Sequence, residues 1–293
     1  MSGQLKEVRL RIKSVGTTQQ ITKAMKMVSA AKLRRAQDAI LQMRPYAEKL
    51  QEMLGNIIGS VDGNLGGGLN AERPVEKVLI ILVTSDRGLC GAFNSNLVKL
   101  VKSTIQHKYK DLAAKGQVTI LPIGKKGFEA FGRANMPMIE QFWNLFSDLN
   151  FDKVKDVAEY VRQAFINKEF DRVDLVYSRF RNAATQEFVC EQHLPIPKTK
   201  TNSSESVTDF IFEPSKEVLI QELMPKILNT QIFKGVLDSH ASEHGARMTA
   251  MDKATENAEE MLRSLRISYN RARQAAITTE LTEIVSGAAA LQG

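Results

Sequence analysis

Four chemically useful side chains fall within eleven positions, in the stretch TSDRGLCGAFN from Thr84 to Asn94: Ser85, Asp86, Arg87 and Cys90. A hydroxyl or thiol near a base is the raw material of nucleophilic catalysis, and an arginine among glycines is suited to a phosphate. The stretch follows the most hydrophobic run in the chain, Val78–Val83. A buried strand that turns through glycines into a helix is where α/β proteins often hold phosphates. The spacing argues against both chemistries. Gly88 and Gly91 complete neither G-x-G-x-x-G nor G-x-x-x-x-G-K-[ST]. The four histidines, His107, His193, His240 and His244, lie far off in sequence and suggest no triad order. His240 and His244 have the i,i+4 spacing of helical zinc ligands, but Ser242 and Glu243 between them do not make a zinc signature. The loop therefore reads as a strand–helix turn with structural glycines.

Composition narrows the class. A chain of 293 residues that is 43% hydrophobic can bury a real core in one large or two ordinary domains. Its apolar runs are too short to cross a bilayer, and the start, MSGQLKEVRLRIKSV, lacks the apolar centre of a secretory signal. Two cysteines, Cys90 and Cys190, give neither a disulfide framework nor a metal spacing, which fits a reducing compartment. The net charge of +7 is confined to one end. Residues 1–60 carry 11 Lys/Arg against 4 Asp/Glu, and the remainder carries 29 of each. A basic, alanine-rich segment such as KAMKMVSAAKLRRAQ suits an acidic protein, an acidic membrane surface or nucleic acid, or is simply a solvated helix face. Recognisable nucleic-acid-binding spacings and interleaved aromatics are missing.

The elements that must position these residues begin with two long helices. A heptad register runs through Leu5, Val8, Ile12, Val15, Gln19, Thr22, Lys26, Ser29, Leu33, Ala36, Ile40, Met43, Ala47, Leu50, Leu54, Ile57 and Val61. It turns polar from Gln19 to Ser29, where the hydrophobes move to Ile21, Met25 and Val28. The expectation is that the packing partner changes side or is lost there. Pro45 lies inside the pattern and is expected to kink the helix or cost it a hydrogen bond. At the other end Met248, Met251, Thr255, Ala258, Leu262, Leu265, Tyr269, Ala272 and Ala276 step by three and four. A helix from about Lys216 to Ser286 would run on the order of 100 Å at 1.5 Å per residue. Two such helices are expected to pair as an antiparallel coiled coil. The second would then overshoot the first with Ile277, Leu281, Ile284, Val285 and GAAALQG, an apolar tip that needs sheathing by other subunits.

Between the helices, a Gly-rich linker (Ser60–Pro74) and a polar one (Lys198–Asp209) bracket an α/β domain over 75–197. The coiled-coil helices take 1–60 and 210–293. Lys77–Thr84 and Gln117–Ile123 read as strands around a helix at Asn94–Lys115. A helix over Phe151–Lys168 leads to strands Val173–Phe180 and Glu187–Leu194, the expected arms of a hairpin. The fold class is thus α/β: a long antiparallel coiled coil with an inserted, mostly parallel, Rossmann-like domain.

Three stretches together, ITKAMKMVSAAKLRRAQ (Ile21–Gln37), TSDRGLCGAFN and ARQAAITTELTEIVSGAAA (Ala272–Ala290), closely resemble the gamma subunit of the rotary ATP synthase in its bacterial form, and RPYAE (Arg44–Glu48) falls in order between the first two. The resemblance covers the whole chain. It implies a non-catalytic central shaft that turns inside a ring of alpha and beta subunits, with an epsilon subunit and a membrane c-ring as further partners. No cofactor, metal or nucleic acid is implied. The basic first helix, with Lys23 and Lys26, would face acidic loops of beta. Met25, the Asp86–Arg87–Cys90 loop, Arg247, Arg273, Gln274, Thr278 and Glu280 would contact the hexamer, and Glu213 would face the c-ring. Phe210 and Phe212 stand where family members often carry tyrosines. The chain lacks a chloroplast-type cysteine insertion, so thiol switching is not expected. A start directly in the first helix fits a bacterial or mature organellar protein, and the resemblance implies a peripheral place on the cytoplasmic face of the bacterial cell membrane. An α/β enzyme with helical extensions, or a basic coiled-coil nucleic-acid binder, remain the alternatives. Neither explains the apolar tip, which has almost no charge.

Overall fold

The structure, a computed structural model, describes residues 2–59, 68–70, 73–196 and 216–292. In chain order it contains α1 (Ser2–Gly59), β1 (Val78–Val83), α2 (Phe93–Lys108), α3 (Lys110–Ala114), β2 (Val118–Ile123), α4 (Lys125–Gly132), α5 (Phe151–Ile166), β3 (Arg172–Phe180), β4 (Gln186–Leu194) and α6 (Lys216–Gln292). Two compact units result. One is Met1–Ser29 with Met248–Gly293, the other Ala30–Arg247. Each long helix contributes to both.

The larger unit is built on a four-stranded sheet in the order β2-β1-β3-β4. β1 pairs in parallel with β2 and β3, and β3 pairs with β4 as an antiparallel hairpin. All six residues of β1 are buried, as a central parallel strand covered on both faces requires. Its alternate side chains divide the core. Leu79, Ile81 and Val83 pack with Val154, Val157, Val161 and Phe165 of α5, with Met224, Ile227, Leu228, Ile232 and Val236 of α6, and with Leu50 of α1. Val78, Ile80 and Leu82 pack with Phe93, Leu97, Val101 and Ile105 of α2 and with Phe131 of α4. The helix expected over Asn94–Lys115 is broken at Tyr109 (φ −131°, ψ 26°), whose ring turns into this second core while its hydroxyl donates to buried Asp174 at 2.5 Å. Helix α4 has no counterpart in the sequence reading, because eight residues beginning KKGF carry too short a pattern to register.

The smaller unit pairs the start of α1 with the end of α6. Thr22 Oγ1 lies 2.8 Å from Thr255 Oγ1, and Lys26 Nζ 2.5 Å from Asp252 Oδ1. Moving four residues up α1 thus moves three residues back along α6, which makes the pair antiparallel. The heptad positions are the ones that turn inward: from Leu5 to Leu50, each is buried or half-buried. The register does not change side at Gln19–Ser29. Ile21 and Val28 are 54% and 57% exposed, while Thr22 and Ser29 are buried. The polar positions stay on the seam because α6 supplies polar partners there. Helix α1 also continues through Pro45, which is exposed, so the carbonyl left without a donor faces water.

One close approach fixes the end of β1. Gly124 has φ 105°, and an added Cβ would lie 2.2 Å from the Thr84 carbonyl oxygen. Thr84 Oγ1 in turn donates to the Gly124 carbonyl (3.2 Å) and accepts from Gly127 N–H (2.8 Å). Gly16, in the middle of α1, has open space where a Cβ would go. Gly124→Ala is therefore expected to cost at least about 2 kcal/mol, from strain at positive φ and the clash with backbone. Gly16→Ala is expected to gain about 0.5–1 kcal/mol from helix propensity. Urea denaturation of the two variants beside the parent chain checks both signs.

Candidate docking surface

The loop after β1 is shaped from inside by two side chains. Asn94, in the first turn of α2, accepts from the Ser85 N–H (3.0 Å) and donates through Nδ2 to Ser85 Oγ (2.7 Å) and toward Cys90 Sγ (3.2 Å). Ser85 Oγ donates to the Arg87 carbonyl at 2.7 Å. From α6, Arg247 donates to the carbonyls of Gly88 and Arg87 and to the carboxylate of Glu243. The loop's carbonyls therefore point inward at a guanidinium. Its outer side carries Arg87 and Leu89, the latter 64% exposed and held at φ 65°. A large apolar side chain held in the left-handed region at the head of a loop is a costly arrangement that the surrounding bonds must maintain.

Two of the residues lie beneath the loop. Cys90 is 1% exposed and Arg247 is 7% exposed in the chain itself. A buried side chain whose donors are already committed acts on the shape of the loop above it. Burial also pushes the Cys90 thiol above its usual value, with Ser85 and Arg247 opposing, so thiolate is scarce at neutral pH. Glu243 is likewise pushed up by burial and pulled back by Arg247. Asp86 is half-buried and accepts from the Lys125 N–H at 3.0 Å, tying the loop to the start of α4. Sequence reasoning missed Leu89, although its place between Gly88 and Gly91 was the available signal.

The remaining sites lie on the coiled coil. Lys23 is exposed and Met25 half-buried. Lys26 pairs with Asp252 and remains 40% exposed. Arg273, Gln274, Thr278 and Glu280 are all exposed near the end of α6. The hydroxyls of Thr278, Thr279 and Thr282 donate back to the carbonyls of Gln274, Ala275 and Thr278. That leaves their methyl groups outward among Ile277, Leu281, Ile284 and Val285, which are 50–68% exposed. Glu213 lies outside the described residues, as do Phe210 and Phe212.

The two histidines at i,i+4 do meet. Their Nε2 atoms are 3.2 Å apart, and Phe146 stacks on His240. Burial, helped by the Lys32 charge, holds His240 at about 4, and burial with His240, Lys32 and Arg247 nearby holds His244 at about 3. Surroundings that repel a proton repel a metal cation too. Among the described residues no group of three ligand-type side chains gathers here or elsewhere. His193, fully buried on β4, is held at about 4 by desolvation.

A two-helix coiled coil and an α/β body on one chain, presenting apolar and basic side chains outward while its polar loop groups bond inward, define a protein built to engage other subunits. A family model described as ATP synthase matches residues 4–291. The chain is 52% identical over 290 residues to the ATP synthase gamma chain of Cytophaga hutchinsonii, covering 98% of each, and 51% identical over 289 residues to that of Flavobacterium psychrophilum, covering 99% of each. Its fold is similar to a chain of the Euglena gracilis mitochondrial ATP synthase, with a TM-score of 0.67 at 22% identity, covering 99% of this chain and 95% of that one. A chain of the Tetrahymena thermophila enzyme, from its central stalk and c-ring, gives a TM-score of 0.55 over 80% of this chain. The chain belongs to the ATP synthase gamma-chain family.

Two outcomes follow from the buried groups. Arg247→Leu is expected to leave the Glu243 carboxyl buried without its cation and the loop carbonyls without a donor, at a cost of about 3 kcal/mol. Cys90 should then be alkylated by iodoacetamide in the native state at least about tenfold faster than in the parent, an opening of about 1.4 kcal/mol less. Mass spectrometry of the modified thiol reads this. Histidines kept neutral by burial bind protons on unfolding, so their contribution is complete above about pH 6.5 and is lost as pH falls toward 4. His193 alone accounts for about 3 kcal/mol across that window. Denaturation midpoints should fall between pH 6.5 and 4, and His193→Gln should flatten the slope by about one proton.

Proposed function

We infer that the chain is the central rotor shaft of an ATP synthase, coupling ion-driven rotation to ATP synthesis or hydrolysis on the beta subunits. The observation that carries this is the end of α6. Counting back along α1 from the Thr22–Thr255 pair brings its first residue level with about residue 276. Every described side chain from Glu280 to Ala290 is exposed, including Leu281, Ile284 and Val285. Beyond Glu283 this helix end carries no charged side chain, and an exposed apolar end of that kind is stable only where other subunits enclose it. A ring of alpha and beta subunits around the tip supplies that enclosure.

The rest of the surface fits the same use. Lys23 and the exposed Arg34 and Arg35 leave α1 basic, suited to acidic loops at the base of beta. Arg87 and Leu89 give the β1–α2 loop one charged and one apolar contact for the same subunits. Arg273, Gln274, Thr278 and Glu280 form a polar band just before the apolar end. Phosphate chemistry belongs to beta, and this chain transmits force. No described helix is long and apolar enough to span a bilayer. On the rotor reading, the chain meets the membrane through the epsilon subunit and the c-ring, on its cytoplasmic face.

Reconstitution with alpha and beta subunits tests the reading. A chain ending at Gly287 loses six residues, three alanines, Leu291, Gln292 and Gly293, with Leu291 the one large apolar side chain among them, so little area is given up at about 25 cal/mol per Å². It should still assemble and support ATPase activity. Ile284→Asp sets a carboxylate against an apolar collar, at a cost of several kcal/mol unless it protonates. It should assemble poorly by gel filtration. The chain alone should hydrolyse no ATP. Equal assembly by Ile284→Asp and the shortened chain would remove the collar from the argument, and turnover by the isolated chain would overturn the inference.

A further inference from the structure

The coiled coil has a thin seam. Among the described residues of its unit only Thr22, Ser29, Met251, Ala258 and Leu262 are buried. Two of these five are hydroxyl residues, and the α6 side of the seam is rich in alanine, at 258, 272 and 276. Apolar burial is non-directional, so small smooth side chains oppose sliding of one helix along the other only weakly. Hydrogen bonds and charge pairs are directional and fail steeply with distance. Thr22–Thr255 and Lys26–Asp252 are such contacts, one turn apart.

Their chemistry is specific. Each threonine hydroxyl has one proton. Thr255 Oγ1 lies 2.7 Å from the Met251 carbonyl and Thr22 Oγ1 3.0 Å from the Gln19 carbonyl. One hydroxyl therefore bonds back to its own helix while the other donates across the 2.8 Å gap. Lys26 and Asp252 are partly exposed, at 40% and 43%. Such a pair adds only about 0–1 kcal/mol to stability. Its significance lies in what it forbids. A slip of seven residues, about 10 Å along the axis, keeps every seam position on the seam and is the natural error of a heptad pattern. Slipped one way, Lys26 still finds an acid in Glu259, but Thr22 is set against Leu262. Slipped the other way, Thr22 meets Met248 and Lys26 meets Gly245. Only the observed register satisfies both polar pairs.

We propose that Thr22, Lys26, Asp252 and Thr255 are a register clamp that holds the two helices of the shaft against axial sliding. A two-helix cable loaded in torsion turns part of that load into sliding of one helix past the other. The clamp sets the length of α6 that projects beyond α1 and keeps it set under load. This mechanical consequence rests on the rotor reading, whereas the clamp itself is a property of the chain alone.

Disulfide trapping in the full chain tests it, with Cys190→Ser and the buried Cys90 retained. Val8→Cys with Tyr269→Cys reports the observed register, and Val8→Cys with Ala276→Cys reports a slip of seven. Under mild oxidation the parent should close the first pair at least about tenfold faster than the second. Replacing the clamp by Thr22→Val, Lys26→Leu, Asp252→Leu and Thr255→Val should bring the two rates within about threefold, with the melting temperature held or raised. Asp252→Lys alone should weaken the preference, and Lys26→Asp with Asp252→Lys should restore it. Thr22→Val with Thr255→Val, a milder pair, serves if circular dichroism shows the fourfold variant has lost helicity. A variant without the polar pairs that keeps the parent's preference, or a parent with no preference, overturns the proposal. These rates are read without alpha or beta subunits, so failure here is separate from failure of the reconstitution test.

Discussion

Burial of β1 on both faces is the constraint from which the larger unit follows. Six consecutive apolar residues without any exposure need helices above and below. The local helices α2 and α4 cover one face. On the other, α5 is joined by parts of α1 and α6, the same helices that pair elsewhere as a coiled coil. A helix whose one portion is seated on a sheet has that portion's orientation fixed by core packing. The chain thus spends its two longest elements twice, as cover for a core and as a paired seam.

Polar groups in this protein are placed to hold shape. Arg247 gathers the carbonyls of the β1–α2 loop, Asn94 ties its start, and Thr84 locks the strand end against Gly124 and Gly127. The consequence is a loop with a polar interior and an outward Leu89. A phosphate-binding loop has the reverse arrangement, with free N–H groups converging on a ligand. The same principle governs the seam, where hydroxyl and charge pairs replace apolar contacts without moving the stripe.

The tip shows the complementary case. Its threonines satisfy their hydroxyls on their own helix, which leaves their methyl groups to face outward. A surface prepared in this way has little to hydrogen-bond and little to catch. That suits an end enclosed by other subunits and turning among them.

Much was legible from the chain itself. Heptad spacing from Leu5 to Leu50 and from Met248 to Ala276 specified which side chains face inward, because helical period and apolar burial are local properties. The alternation of β1 with its neighbours marked a parallel sheet for the same reason. The whole-chain resemblance pointed to the family. Three things depended on residues distant in sequence. Gln19–Ser29 looked like a seam without a partner until Thr255 and Asp252 came opposite, because a polar residue is acceptable on a seam only if another chain segment meets its hydrogen-bonding capacity. That Cys90 and Arg247 sit beneath the loop they shape was not legible either, since burial is a property of the assembled fold. Nor was the pairing of Lys26 with Asp252, 226 positions away. Local periodicity could determine where each helix turns its face, but only the tertiary structure decided which polar group found which partner, because that depends on the distance between atoms the chain order does not relate.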